Sequence, residues 1–253
     1  MSTRLLYFGV LLVGLTTAPT RAQRSTRWTD YDALASYRLG VQGVDFGSMN
    51  QALQQAGYGT LPGQMTVLSV ASQFSRGNRP LTWHSEIGIS LGSGMTVRNS
   101  TYQLRATGYV FKFGASYRII GTDRFQLAPQ LAVVSLPFSF RVSPVGDPLP
   151  PGLTNVLTDP GSARTVTVRA GSIGLDLGLT ANWRVPTSLR QINCSTVERS
   201  IVFGLDAGYR AATRAEFNVT NDASRGVPDF RTSGFYAGLR VGLGTRVRST
   251  PQP

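Results

Sequence analysis

From about residue 34 onward, apolar and polar side chains alternate with period two, the mark of strands with two unlike faces. In Phe235–Gly244 the odd-numbered positions are apolar and the even-numbered ones are Tyr, Gly, Arg, Gly and Gly. The same pattern runs through Ile201–Arg210. Ile173, Leu175, Leu177, Leu179, Ala181 and Trp183 form one face of a further stretch, with Gly174, Asp176, Gly178, Thr180 and Asn182 opposite. Tyr109, Phe111, Phe113, Ala115, Tyr117 and Ile119 oppose Val110, Lys112, Gly114, Ser116 and Arg118. Trp83, Ser85, Ile87, Ile89 and Leu91 oppose His84, Glu86, Gly88 and Ser90.

Soluble sheets alternate too, so three further features decide the class. The apolar faces are continuous over about 9 to 11 residues, the length of a tilted strand crossing a bilayer. The opposite faces carry glycine and isolated charges, a poor filling for a sandwich core. Aromatic residues fall near strand ends at Trp83, Tyr102, Trp183 and Tyr209, as membrane girdles require. The expected fold is therefore all-β, a single transmembrane antiparallel up-and-down β-barrel.

Eight strands are predicted, at 34–46, 64–76, 81–92, 102–118, 125–141, 165–184, 199–212 and 232–247. Ten strands follow if residues 142–164 hide a hairpin. Odd-numbered connections are mostly long and even-numbered ones mostly short, which places loops at one end and both termini with the turns at the other. Within the first connection, SMNQALQQAG predicts a short helix capped by Ser48 and ended by Gly57. Two connections fit less well: the third is short for a loop, and the sixth, VPTSLRQINCSTVER, is long for a turn. Pro129 and Pro137 remove ladder donors from the fifth strand, which predicts a bulge or a strand projecting above the membrane.

The chain begins differently. Arg4, an apolar run from Leu5 to Leu15 and a small-residue stretch ending at Ala22 have the order of a secretory signal peptide. The expected division is a signal peptide at 1–22, a leader at 23–33, a barrel at 34–247 and a tail at 248–253. The run is too short to span a bilayer as a helix, and no Cys at the cleavage point suggests a lipid anchor.

Composition then narrows the chemistry. The 253 residues include 25 Lys+Arg against 13 Asp+Glu, a formal net charge of +12, and every basic residue except Lys112 is an arginine. Such a charge points first to nucleic acid. Export, and the scattering of arginines over turns (Arg76, Arg79, Arg124, Arg190, Arg199) and inward faces, argue against that partner. One Cys, Cys194, excludes an intrachain disulfide, and one His, His84, excludes multi-histidine zinc motifs. Cys194 is read as a loop thiol. No GxGxxG before a helix, no GxxxxGK[ST] and no HExxH is present, so neither a metal nor a cofactor is expected.

Candidate chemistry is confined to the inward faces. His84, Glu86 and Ser90 share one face and are the weak catalytic candidates for a lipid-modifying enzyme. Lys112, Arg118, Asp176, Asp206, Arg210 and Arg240 supply charges of both signs to a lumen that eight strands make only wide enough for side chains or one small ligand. Interior ion pairs without transport are the leading reading, with a narrow anion-preferring channel as the alternative.

With its signal peptide, glycine-rich aromatic strands and closing GFYAGLRVGLGTRV, the chain resembles the outer-membrane β-barrel proteins of Gram-negative bacteria. In style it is similar to the porin-like barrels of the Bacteroidetes. The resemblance implies a location in the cell outer membrane, contact with its lipid and lipopolysaccharide, and assembly by the outer-membrane insertion machinery. That machinery is often guided by a C-terminal aromatic residue; this chain departs from the pattern, ending STPQP. The expectation is a monomeric, non-enzymatic barrel acting structurally or through surface interactions of residues 47–63, 142–164 and 213–231. A soluble lipocalin-type barrel is the remaining rival.

Overall fold

A computed structural model describes residues 30–77, 79–91, 95–145, 165–192, 195–218 and 229–249, with backbone alone for 216–218. The described residues form eleven strands and one helix: β1 Tyr31–Gly43, α1 Gly47–Gln55, β2 Gln64–Arg76, β3 Leu81–Ser90, β4 Thr96–Arg98, β5 Tyr102–Tyr117, β6 Ile120–Gly121, β7 Phe125–Pro144, β8 Val166–Ile192, β9 Ser195–Ala212, β10 Glu216–Asn218 and β11 Gly234–Ser249. Among the described residues no helix is long and apolar enough to cross a membrane.

All pairings are antiparallel and belong to one eleven-stranded sheet. The long strands pair in the order β1–β2–β3–β5–β7–β8–β9–β11. β11 in turn pairs with β1, from Tyr31 opposite Val247 to Gln42 opposite Tyr236. Each long strand thus has two long neighbours, a barrel-like arrangement. The short strands are additions at its rims, β4 on β5, β6 on β7 and β10 on β8.

Alternation sorts the side chains as the pattern requires. On β8, Leu175, Leu177 and Leu179 are 51%, 62% and 52% exposed, while Asp176 among them is 0% exposed. Along the middle of the sheet apolar residues therefore cover one face, and charged residues such as Asp176 lie on the other, buried one. Aromatic pairs mark both margins of the outer apolar surface. Trp83 stacks on Phe113 with centroids 5.9 Å apart and Phe125 meets Trp183 at 4.9 Å, toward the termini. Tyr209 meets Phe235 at 5.1 Å near the opposite end.

At that opposite end the interior is apolar. Phe46, Phe138, Phe140 and Phe230 form one ring cluster, with Phe138 and Phe230 at 5.1 Å and Phe46 and Phe230 at 5.3 Å. Met49 and Leu53, four apart on α1, bury their side chains in the same cluster. The helix therefore packs over the apolar interior at this end, where Asp45 and Arg231 exchange backbone hydrogen bonds and tie the first connection to the seventh.

Several local expectations need correction. Ser48 does not cap α1; it lies within the helix, and Asp45 Oδ1 instead accepts the Gly47 N–H at 2.9 Å. Gly57, at φ +75°, follows the helix, as its freedom in that region suggests. The sixth connection is not a long loop: β8 and β9 continue through it as a hairpin to Ile192 and Ser195, with a register irregularity between Pro186 and Ser188. Both faces of that hairpin are largely wet, so it lacks the alternation that betrays a strand. Cys194, the signal peptide, most of 142–164 and much of 213–231 lie outside the described residues.

Nor does β7 bulge. Its register with β8 is unbroken from Phe125 to Val142, and its register with β5 is the same on both sides of a gap. The gap spans Tyr109 and Val110, where Pro137 has no N–H to give.

Candidate functional site

The even-numbered faces of β1, β3, β5, β8, β9 and β11 converge on one buried polar cluster below the aromatic plug. Asp206 of β9 is its centre on one side. Arg38 of β1 donates from Nε to both Asp206 oxygens at 2.8 and 3.0 Å and from Nη2 to Oδ2 at 2.8 Å. Arg38 also reaches Glu86 Oε1 at 3.3 Å, and that oxygen accepts the Ser69 hydroxyl at 2.6 Å. Arg240 Nη2 lies 3.7 Å from Asp206.

Asp176 of β8 is the centre on the other side. Arg210 donates to its two oxygens in a fork, at 2.5 and 2.8 Å, and Lys112 Nζ stands 3.2 Å from Oδ2. The Tyr236 ring separates the two groups. Lys112 Nζ is 4.9 Å from its centroid, with Arg38 and Arg210 at 6.0 and 5.9 Å, all within cation–π reach. Gln130 Nε2 donates to its hydroxyl at 3.0 Å.

Glycine makes room for this filling. A Cβ at Gly178 or Gly208 would press into the Tyr236 hydroxyl, well inside van der Waals contact. Bulkier inward residues on β8 and β9 would expel the ring.

A second ionic group sits nearer the termini. Asp32 receives Arg184 Nη2 at 2.7 Å and lies 3.6 Å from Arg246 Nε, while Arg248 donates to Asp123 at 3.0 Å. An open cavity of about 420 Å³ adjoins it.

Five of the six charged residues singled out in the sequence, Lys112, Asp176, Asp206, Arg210 and Arg240, belong to the central cluster. Arg118 does not: it lies just past β5, half-buried beside the terminal cavity. The weak catalytic candidates are buried but unconnected to each other. Glu86 is held by Arg38 and Ser69, the Ser90 hydroxyl accepts the Gly108 N–H at 2.8 Å, and neither His84 ring nitrogen makes a hydrogen bond. Among the described residues no group of three or more His, Cys, Asp or Glu is placed to hold a metal ion.

Sequence reasoning passes over Arg38, Tyr236, Asp32, Arg184 and Arg246. The signal is there for the first two: both occupy polar-face positions in alternating strands. Alternation assigns a face, whereas partnership depends on which strands lie across the lumen.

No protein-family model and no curated protein matches the chain. Solved structures similar to it include Ail, the attachment invasion locus protein of Yersinia pestis, at 10% identity and a TM-score of 0.42, covering 86% of this chain and 98% of that one. A major outer membrane protein from Thermus thermophilus has 12% identity, a TM-score of 0.37 and coverages of 85% and 98%. The outer membrane protein OprG from Pseudomonas aeruginosa has 13% identity, a TM-score of 0.33 and coverages of 86% and 95%.

Proposed function

We propose that this chain is an outer-membrane β-barrel protein in which the eight long strands close on themselves across the bilayer. Its role is structural or one of surface interaction, through the connections within 47–63, 142–164 and 213–231. The observation that carries the reading is the inversion of polarity across the strands. Large apolar side chains such as Phe235, Leu243 and Leu177 stand 77%, 70% and 62% exposed, while seven charged side chains pair inside. Water penalises such an outer surface, whereas lipid requires it together with paired strand edges.

The lumen of this barrel does not conduct. Ion pairs fill its middle, and four phenylalanines with α1 stop the loop end. Residues 1–22 serve as an export signal, and the partners are membrane lipid, lipopolysaccharide and the insertion machinery. Kinship with the Bacteroidetes porin-like barrels rests on sequence pattern alone.

Cell fractionation with heat-modifiable gel mobility, followed by planar-bilayer recording, tests the proposal. The expected result is recovery in the outer-membrane fraction, a mobility shift on boiling and an electrically silent bilayer. Recovery in the soluble fraction without detergent would overturn the membrane reading, and steady conductance would overturn the sealed lumen.

A further inference from the structure

The central cluster does not balance its own charge. Arg38, Lys112, Arg210 and Arg240 bring four positive charges to it. Glu86, Asp176 and Asp206 bring three negative ones. All seven residues are 7% exposed or less, so one positive charge is left over in the interior, where an uncompensated ion is strongly disfavoured. The excess falls on Arg240. Arg38 stands directly opposite it in the ladder, an arrangement that repels, and takes both Asp206 oxygens. Arg240 keeps one approach, Nη2 to Asp206 at 3.7 Å, longer than a hydrogen bond. Its Nε and Nη1 have no partner among the described residues. A guanidinium keeps its charge at any physiological pH, so losing a proton offers no escape.

Neutral polar groups with free capacity stand beside it. Gly204 of β9 is in register with Arg240 on one side and with Asn182 on the other. The two side chains crowd over that glycine, where a Cβ would meet Asn182 Oδ1 at 2.6 Å and Arg240 Cβ at 3.3 Å. Thr180, one inward position along β8, is in register with Asp206. Asn182 Oδ1, Thr180 Oγ1 and both ring nitrogens of His84 are buried without partners among the described residues, and His84 lies within the field of Lys112 and Arg240. Hydroxyl, amide and neutral imidazole all donate hydrogen bonds and bring no charge. The acidic residues without a described side chain, Asp147, Asp159, Glu216 and Asp222, belong to the fifth and seventh connections at the loop end, with the phenylalanine cluster and Tyr236 between that end and Arg240. Residues 1–29 and 250–253, which adjoin the other end, contain no Asp or Glu.

What completes this site is singly negative, because one charge is outstanding, and small, because side chains fill the lumen at this level. Resting on the closed barrel proposed above, we propose that the Nε–Nη1 edge of Arg240, together with Asn182 and Thr180, binds a buried monovalent anion of halide size. The ion gives the opposed arginines separate counter-charges, Asp206 for Arg38 and the halide for Arg240. It is a fixed part of the filling, not a carrier of current.

The test compares protein refolded in mild detergent with sodium chloride and with sodium gluconate at equal ionic strength. Thermal unfolding is followed by loss of the heat-modifiable form. The wild-type midpoint is expected to lie about 4 °C or more higher in chloride, since gluconate is too large for the site. Asn182→Asp places a carboxylate across Gly204 from Arg240. It is expected to unfold at the same temperature in both salts and, in gluconate, above the wild type. Arg240→Met is expected to lose the salt difference as well, and the half-exposed Arg248→Gln near the termini to keep it. Crystals of wild-type protein refolded in sodium bromide are expected to show an anomalous peak beside Arg240. Equal wild-type midpoints overturn the site, as does a salt difference that survives in Asn182→Asp. Bromide peaks on the exposed surface alone mean an adventitious ion only and overturn it using native protein, whatever the variants do. A wild-type chain without a heat-modifiable form in either salt overturns the barrel itself, which separates that failure from failure of this site.

Discussion

Asp206 joins two arginines that reach it from other strands. Arg38, 168 residues away, grips it with two nitrogens, and Arg240 approaches to 3.7 Å. Removing one member of a buried ionic group leaves the others uncompensated, which typically costs about 3–5 kcal/mol. Asp206→Asn is therefore expected to lower the urea-unfolding free energy in detergent by about that amount, and adding Arg38→Met to restore part of it. A loss under about 1 kcal/mol would show that the pair behaves like a surface contact. This residue also shows where the sequence stops speaking. Its inward face is readable from Phe203, Leu205 and Ala207 around it, all apolar and of opposite parity. Its partner is not, because Arg38 reaches it over Gly238 of β11, and only the pairing of the first strand with the last brings the two together. Tyr236 is hidden differently: aromatic residues suggest the lipid face, and only Gly208 and Gly178, in register with it on the two neighbouring strands, reveal space for a ring inside.

Among the elements, strands with one wet and one dry face declare themselves, and those without such contrast do not. The spans at 64–76, 81–92 and 102–118 agree with β2, β3 and β5 to within two residues. The outer half of the β8–β9 hairpin reads as a loop because solvent meets both of its faces, leaving no period to detect. The run SMNQALQQAG reveals helix α1, but its cap position is Phe46, two residues before Ser48, and carries no side-chain cap hydrogen bond. Backbone bonds between Asp45 and Arg231 fix the chain just before the helix and aim the Asp45 carboxylate at the Gly47 N–H. Local sequence does not show that tie. Asp45→Ala is accordingly expected to cost about 1 kcal/mol, the scale of one lost hydrogen bond. Ser48→Ala should stay within about 0.5 kcal/mol, as for an ordinary surface change. Paired urea titrations measure both, and a larger loss at Ser48 would return the cap to that residue.

At the scale of the whole molecule, the proposed closure depends on the seam between the first and last strands. Tyr31 pairs with Val247, and Ser249 N–H donates to Asp30 Oδ1 at 2.7 Å, so the two chain ends of the sheet are neighbours. A short linker can join residue 249 to residue 30 without disturbing a strand. New ends can then be opened between Gly77 and Pro80, in the turn from β2 to β3. In this circular permutant β3 is first and β2 last, and the chain closes through the β2–β3 seam, paired from Val67–Ser90 to Phe74–Trp83. If every seam is already present in the native barrel, cutting one connection and adding another alters loop entropy and little else. The permutant is expected to refold in detergent with heat-modifiable mobility. Its unfolding free energy should fall by about 1–2 kcal/mol at most, the scale of relocating a loop. An open sheet behaves differently, because β1 and β2 would then hang from β11 by the linker alone and the new terminal strands would have no continuous partner. A permutant that fails to recover heat-modifiable mobility, while the uncut chain recovers it under the same conditions, would defeat the closed arrangement and leave the polarity of the strands to be explained by some other lipid-facing assembly.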